Sequence, residues 1–178
     1  MTQSFFDLTG KTAIITGGSK GLGEQMGHAL AASGADVALV SRTKEDLVRV
    51  SNEIREATGR NVIGFPCDVT KSAEIGPMVG DVVSEFGKID ILVNNAGIGG
   101  TTPVRDIEEE EWDRFMDLNL KGPVLCSKYV GAEMAKRRTG VIINVSSLFS
   151  KIVARYMAAY GATKAGLVSF TRTLALEW

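Results

Sequence analysis

The feature that most restricts the fold is a glycine-rich turn set between two apolar runs, Thr16-Gly17-Gly18-Ser19-Lys20-Gly21-Leu22-Gly23. Before it, Thr12-Ala13-Ile14-Ile15 predicts a short buried strand over residues 11–16. After it, an amphipathic helix is expected over 21–33, with Gly34 placed to end it. Strand, glycine turn and helix in that order can hold a dinucleotide. The glycines let the backbone turn tightly and approach a pyrophosphate, and the helix N-terminus supplies N–H donors with partial positive charge. The spacing here is G-x-x-x-G-x-G, not the commoner G-x-G-x-x-G. A second strand, 36–40, runs into Ser41-Arg42. An acidic residue about 20 positions after the turn binds a ribose 2′-hydroxyl, whereas a basic one takes a 2′-phosphate. Ser41 stands in the acidic place, Arg42 follows it, and Lys20 adds a second cation. A guanidinium grips phosphate through paired hydrogen bonds, so these residues favour NADP(H) over NAD(H).

Beyond the turn, predicted strands (62–67, 89–93, 141–145) alternate with predicted helices (44–58, 71–86, 107–138, 156–176). That alternation is the signature of a parallel sheet covered on both faces. Thr43 and Gly59 are placed to cap the 44–58 helix, whose Leu47, Val50, Ile54 and Ala57 share one face, while Pro77 disturbs the start of the 71–86 helix. The last helix carries only two charged residues, Lys164 and Arg172, so it should be buried on most sides. In a single copy one face would be exposed, which leads us to expect a homodimer or homotetramer.

A second constellation carries chemistry. Tyr160 and Lys164, at i and i+4, lie on one helical face, with Ser147 upstream. An ordinary phenol, with a pKa of about 10, is too weak an acid for neutral pH, and a nearby ammonium favours its ionised form. Alone the pair is weak evidence, since a surface Tyr–Lys pair is common; the glycine turn gives it meaning.

Together these residues resemble the short-chain dehydrogenase/reductase family. Asn94-Asn95-Ala96-Gly97 follows an apolar strand as the family's N-N-A-G does. Asp68-Val69 matches the pair that holds the adenine ring, and Asn119 and Ser147 match the family's catalytic asparagine and serine. The resemblance implies a doubly wound α/β fold of Rossmann type, with strands in the order 3-2-1-4-5. It covers essentially every residue after the first few, and residues 1–178 read as one dinucleotide-binding and catalytic domain whose C-terminal part is missing. Members usually continue with two further strands and a mobile segment over the substrate, absent here. The implied nucleotide contacts are Gly17, Ser19, Lys20, Gly21, Leu22, Gly23, Ser41, Arg42, Asp68, Val69, Asn95, Ala96, Gly97, Tyr160 and Lys164. In the implied mechanism Tyr160 exchanges a proton with the carbonyl or alcohol oxygen and Ser147 hydrogen-bonds that oxygen. Lys164 binds the nicotinamide ribose, and Asn119 holds a water in a proton relay. Pro123 has no N–H, so in an α-helix it would leave the Asn119 carbonyl free for that water.

Composition narrows the partners. A net charge of −1 argues against a nucleic-acid surface, and no apolar run reaches the length of a membrane span. Residues 1–8 lack the pattern of a signal peptide. Cys67 and Cys126, isolated in sequence, read as reduced core thiols of a cytoplasmic protein. No cluster has metal-ligand spacing, and His28 reads as structural. Two functions follow: an NADP(H)-dependent oxidoreductase acting on a small carbonyl or alcohol, or a non-catalytic nucleotide-binding or assembly module without a complete pocket. The intact Asn119, Ser147, Tyr160 and Lys164 favour the enzyme. Lys151 and Arg155, between Ser147 and Tyr160, could attract an anionic substrate such as a sugar acid or a carrier-bound 3-oxoacyl group, although solvated loop cations explain them as well.

Overall fold

The computed structural model describes residues 6–178, so most of the segment read for a leader lies outside the described residues. Five strands form one parallel sheet: β1 (Thr12–Thr16), β2 (Asp36–Ser41), β3 (Val62–Pro66), β4 (Ile91–Asn94) and β5 (Val141–Asn144). Their order is β3-β2-β1-β4-β5, as expected. The helices are α1 (Gly21–Ala32), α2 (Lys44–Thr58), α3 (Ser72–Phe86), α4 (Glu109–Met116), α5 (Gly122–Arg137) and α6 (Ala158–Glu177).

Side chains alternate across the pleat. Ile14 packs with Ala38, Val40 and Leu92 on one face, and Ile15 packs with Val37, Leu39 and Val93 on the other. Helices cover both faces, which is why these strands read as continuous apolar runs. On the first face α3 contributes Ile75, Met78, Val79 and Val82, and α5 contributes Cys126, Val130 and Met134. On the second, α1 contributes Ala31 and α2 contributes Leu47, Val50 and Ile54. Cys67 and Cys126 are free thiols in the first cluster. Burial pushes their pKa values up to about 11 and about 12, so neither is a nucleophile here. No described helix is long and apolar enough to cross a membrane.

Two helical expectations need correction. The single helix over 107–138 is three elements. A 3₁₀ turn (Val104–Asp106) precedes α4, and α4 passes through a π-helical turn (Asp117–Lys121) into α5. In that wider turn the Gly122 N–H reaches back to the Asp117 carbonyl. Only in an ordinary α-turn would Pro123 stand opposite the Asn119 carbonyl. In an i to i+5 ring its missing N–H lies opposite Leu118 rather than Asn119. The last helix also starts at Ala158 instead of residue 156, because Tyr156 has φ of +69° and cannot be helical.

The fold also gathers what the sequence had left apart. Glu24 and His28 of α1 and Glu53 of α2 have ligand atoms within 4.8 Å of one another. The cation already among them is the protein's own: Arg49 Nη1 lies 3.6 Å from Glu24 and 3.1 Å from Glu53.

Candidate active site

The end of the site expected to hold a nucleotide is built by two turns clasped together at the C-terminal ends of β1 and β4. Gly17 has φ of +67°, in the left-handed region, and a Cβ there would lie 3.0 Å from the Ala96 backbone. At Gly23 a Cβ would lie 2.2 Å from the Gly17 carbonyl oxygen, so no larger residue fits while α1 sits this close. Thr16 fastens the pair. Its Oγ1 accepts the N–H groups of Asn95 (3.0 Å) and Ala96 (3.1 Å), and the Asn95 amide donates to the Thr16 carbonyl at 3.0 Å. The Asn95 side chain is therefore used to hold the glycine turn in place. Asn94 faces the other way, donating to Ser127 Oγ (3.0 Å) and Asn144 Oδ1 (2.8 Å), and so ties β4 to α5 and β5.

A cleft of about 890 Å³ opens along the C-terminal ends of the strands. Of the residues expected to contact a nucleotide, Gly17, Ser19, Lys20, Ser41, Arg42, Asp68, Val69, Ala96 and Gly97 line it. Gly23 is buried beneath the turn, Gly21 opens α1, and Leu22 is 68% exposed. At the far end Ser41 Oγ is buried with no hydrogen-bond partner. Asp68 is shifted below the usual carboxylate range. Burial raises it, but two hydrogen bonds from Thr70 and the nearby charges of Arg42 and Lys71 outweigh that. The opposite wall carries Glu110, Asp113, Arg114 and Asp117, which sequence reasoning had not singled out.

Asn95, Tyr160 and Lys164, also expected to contact a nucleotide, do not line this cleft, nor do Asn119 and Ser147; the second constellation lies beyond Gly97. A Cβ at Gly97 would lie 3.1 Å from Asn119 Oδ1 and 3.6 Å from Lys164 Nζ, so the two turns and these two residues share one corner. Asn119 is fully buried. Its Oδ1 accepts the Ile98 N–H at 2.8 Å, and its Nδ2 donates to the Ile98 carbonyl (2.9 Å) and Thr163 Oγ1 (3.3 Å). The amide thus joins the loop after Gly97 to α6. Lys164 Nζ donates to the Val145 carbonyl at 2.8 Å and lies 5.8 Å from the Tyr160 ring centroid. Burial pushes its ammonium below the ordinary lysine pKa. Ser147 caps a 3₁₀ turn (Leu148–Ser150), its Oγ accepting the Phe149 N–H at 3.3 Å. Phe149 in turn packs on Tyr160, so Ser147 and Tyr160 are brought to one place.

Thr16 and Phe149 were missed by the sequence reading. A polar residue ending a buried strand was the available signal for Thr16; nothing in the spacing marks Phe149.

Residues 11–178 match the profile of the short chain dehydrogenase family. The chain belongs to that family of oxidoreductases. Over 178 residues it is 34% identical to a 2-dehydro-3-deoxy-D-gluconate 5-dehydrogenase of Formosa agariphila, covering 100% of this chain and 67% of that protein. Among solved structures, a metagenomic short-chain oxidoreductase in complex with NADP superposes with a TM-score of 0.91 at 36% identity, over 96% of this chain and 77% of that one. An NAD⁺-bound xylitol dehydrogenase superposes with a TM-score of 0.92 at 32% identity, over 98% of this chain and 66% of that one. The family member here spans about two thirds of the length of the gluconate-type dehydrogenase and of the xylitol dehydrogenase.

Proposed function

We propose that this family member is the nucleotide-binding and catalytic part of an NADP(H)-dependent oxidoreductase that interconverts a carbonyl and a secondary alcohol. The cleft fits such a cofactor. Its glycine turn admits a close backbone approach, and Arg42 and Lys20 in its lining supply two cations for a 2′-phosphate, with no acidic residue at position 41 to repel it. When bound, the nicotinamide would give or accept the hydride.

The chain's own residues handle the proton. Tyr160 gives a proton to the carbonyl oxygen in reduction and takes one from the alcohol in oxidation. Ser147 Oγ already accepts from Phe149, which leaves its O–H to donate to the same substrate oxygen. Asn119 positions the loop after Gly97 and, by the family match, orders a water beside Lys164. Lys164 places a positive charge beside the phenol, where negative charge develops. That buried ammonium is the observation that carries the reading. A lysine with only a structural task has no reason to leave water for one backbone carbonyl.

The test is reduction of a carbonyl panel with NADPH and, in parallel, NADH, by the wild type and by Tyr160→Phe. Phenol removal should lower turnover by at least about a hundredfold while nucleotide binding persists. A Tyr160→Phe protein that turns over normally would end the acid–base reading; equal use of NADH would end the NADP(H) preference. Cytoplasmic location and a homodimer or homotetramer belong to the same proposal. The support for assembly is α6, where Leu176 is 90% exposed on a helix with few charges.

A further inference from the structure

Tyr160 packs against two aromatic rings to which the proposed chemistry assigns no part. The Phe115 ring lies 6.5 Å from the Tyr160 ring, centroid to centroid, with planes at 72°. The Phe149 ring lies 6.2 Å away with planes at 74°. Both are edge-to-face arrangements, which depend on ring quadrupoles and fix relative orientation more tightly than aliphatic packing does. With Lys164 Nζ at 5.8 Å from the same centroid, the phenol has three oriented neighbours.

The two phenylalanines come from elements that carry other members of the site. Phe149 lies two residues after Ser147, and its N–H donates to Ser147 Oγ at 3.3 Å. Its backbone carbonyl also rests against α6, where a Cβ added to Gly161 would lie 3.3 Å from it. Phe115 lies four residues before Asn119, in the last turn of α4 before the π-helical turn. It is 2% exposed, and a Cβ added to Gly100 would lie 2.9 Å from its ring tip, so the loop after Gly97 closes over it. Phe115 is a fully buried core side chain, but neither ring belongs to the two clusters packed on the faces of the sheet; both lie on the Tyr160 side of the molecule.

We propose that Phe115 and Phe149 are positioning residues that hold the Tyr160 phenol in register with Ser147 and Asn119. This rests on Tyr160 being the acid–base group. Each ring transmits the position of one segment to the phenol: Phe149 that of the Ser147 turn, Phe115 that of the Asn119 turn. An error of about an ångström in placing a reacting group can cost about a hundredfold in rate. Holding one ring between two such segments is a direct way to avoid that error.

The experiment pairs kinetics with a readout independent of turnover. In the full chain, Phe149→Ala should lower kcat by about ten- to a hundredfold, with substrate KM and NADPH affinity little changed. Phe149→Tyr should restore most of the rate; Phe149→Leu, which keeps bulk but not ring geometry, should not. With 3-fluorotyrosine at position 160, the fluorine spectrum should show two resonances from a held ring in the wild type and one averaged resonance in Phe149→Ala. Phe115→Leu should move both readouts in the same direction, and retained α-helical circular dichroism shows that each variant folds. Phe149→Ala with wild-type kcat, or with an unchanged fluorine spectrum, overturns the proposal, as does rescue by leucine equal to that by tyrosine. Failure of the underlying reading looks different: Tyr160→Phe would then keep its turnover. The fluorine spectrum decides the positioning role even where turnover is slow.

Discussion

Strands β1 and β5 both lead into site residues, yet they are built differently. Every residue of β1 is buried, with Ile14 and Ile15 packed on opposite faces between two neighbouring strands. β5 lies at the end of the sheet, pairs with β4 alone among the described residues, and leaves Val141 54% and Ile143 47% exposed. The glycine turn after β1 is therefore anchored by the core, whereas the Ser147 turn after β5 is held by specific local contacts. Those contacts are Ser146 Oγ donating to the Lys164 carbonyl at 3.2 Å, Lys164 Nζ donating to the Val145 carbonyl at 2.8 Å, and the ring of Phe149. The glycine-turn end is positioned by core packing with the Thr16 and Asn95 hydrogen bonds added to it; the Tyr160 end relies on hydrogen bonds and aromatic contacts to α6 beside a half-exposed strand.

The largest expected effect tests that difference directly. Ile15→Ala should destabilise the fold by about 2–5 kcal/mol, because it opens a cavity in a core that cannot collapse around it. Ile143→Ala, on a half-exposed strand, should cost about 1 kcal/mol, since only part of its side chain leaves an apolar environment. Urea unfolding of the two variants measures the contrast, and equal losses would mean that β5 is as well anchored as β1. Next is Gly23→Ala. The added methyl meets the Gly17 carbonyl oxygen at 2.2 Å, a backbone atom that cannot swing aside. A cost near the upper end of the about 1–3 kcal/mol typical of overpacking is expected, together with weakened NADPH binding seen by fluorescence titration. A variant that binds NADPH as the wild type does would show that α1 can retreat from the turn.

The same contrast explains what the sequence made legible. The strands around β1 are read easily because both faces are buried and glycines mark their ends, so pattern and structure report the same constraint. The family motifs singled out Asn119, Ser147, Tyr160 and Lys164, and the fold sets Asn119 and Lys164 beside Gly97 and Phe149, two residues after Ser147, against Tyr160. Other features have no local signature. The π-helical turn at Asp117–Lys121 differs from an α-turn by one step in hydrogen-bond register, and Pro123 hinted at a disturbance without specifying its form. Tyr156 at φ of +69° runs against the propensity of a bulky side chain, and its carbonyl accepts the Thr102 N–H at 2.8 Å, a contact between segments far apart in sequence. Phe115 and Phe149 meet Tyr160 only after the chain has folded. Residues that act through long-range contacts are invisible to spacing.

The smallest effect concerns the residue that joins the two regions. Asp90, just before β4, accepts the Thr12 N–H of β1 at 3.0 Å and is paired with Arg137 of α5 at 3.1 Å and Lys88 at 3.2 Å. Its carbonyl accepts the Val141 N–H of β5 at 2.9 Å. Burial raises the carboxyl's pKa, but the Thr12 N–H, Arg137 and Lys88 together hold it below the usual carboxylate range. A depressed folded pKa gives stability that is fully present above the unfolded value of about 3.9 and is lost as pH falls through the folded value. Asp90→Asn keeps a side-chain carbonyl for Thr12 but removes the charge that faces both cations. It should therefore cost about 1 kcal/mol at neutral pH, consistent with partly exposed partners, and the difference from wild type should shrink as pH drops below about 4. Urea midpoints at pH 7 and at pH 3 measure it. A difference that stays constant across that range would assign Asp90 to backbone hydrogen bonding alone, leaving β1 and the β5 end of the sheet joined without help from its charge.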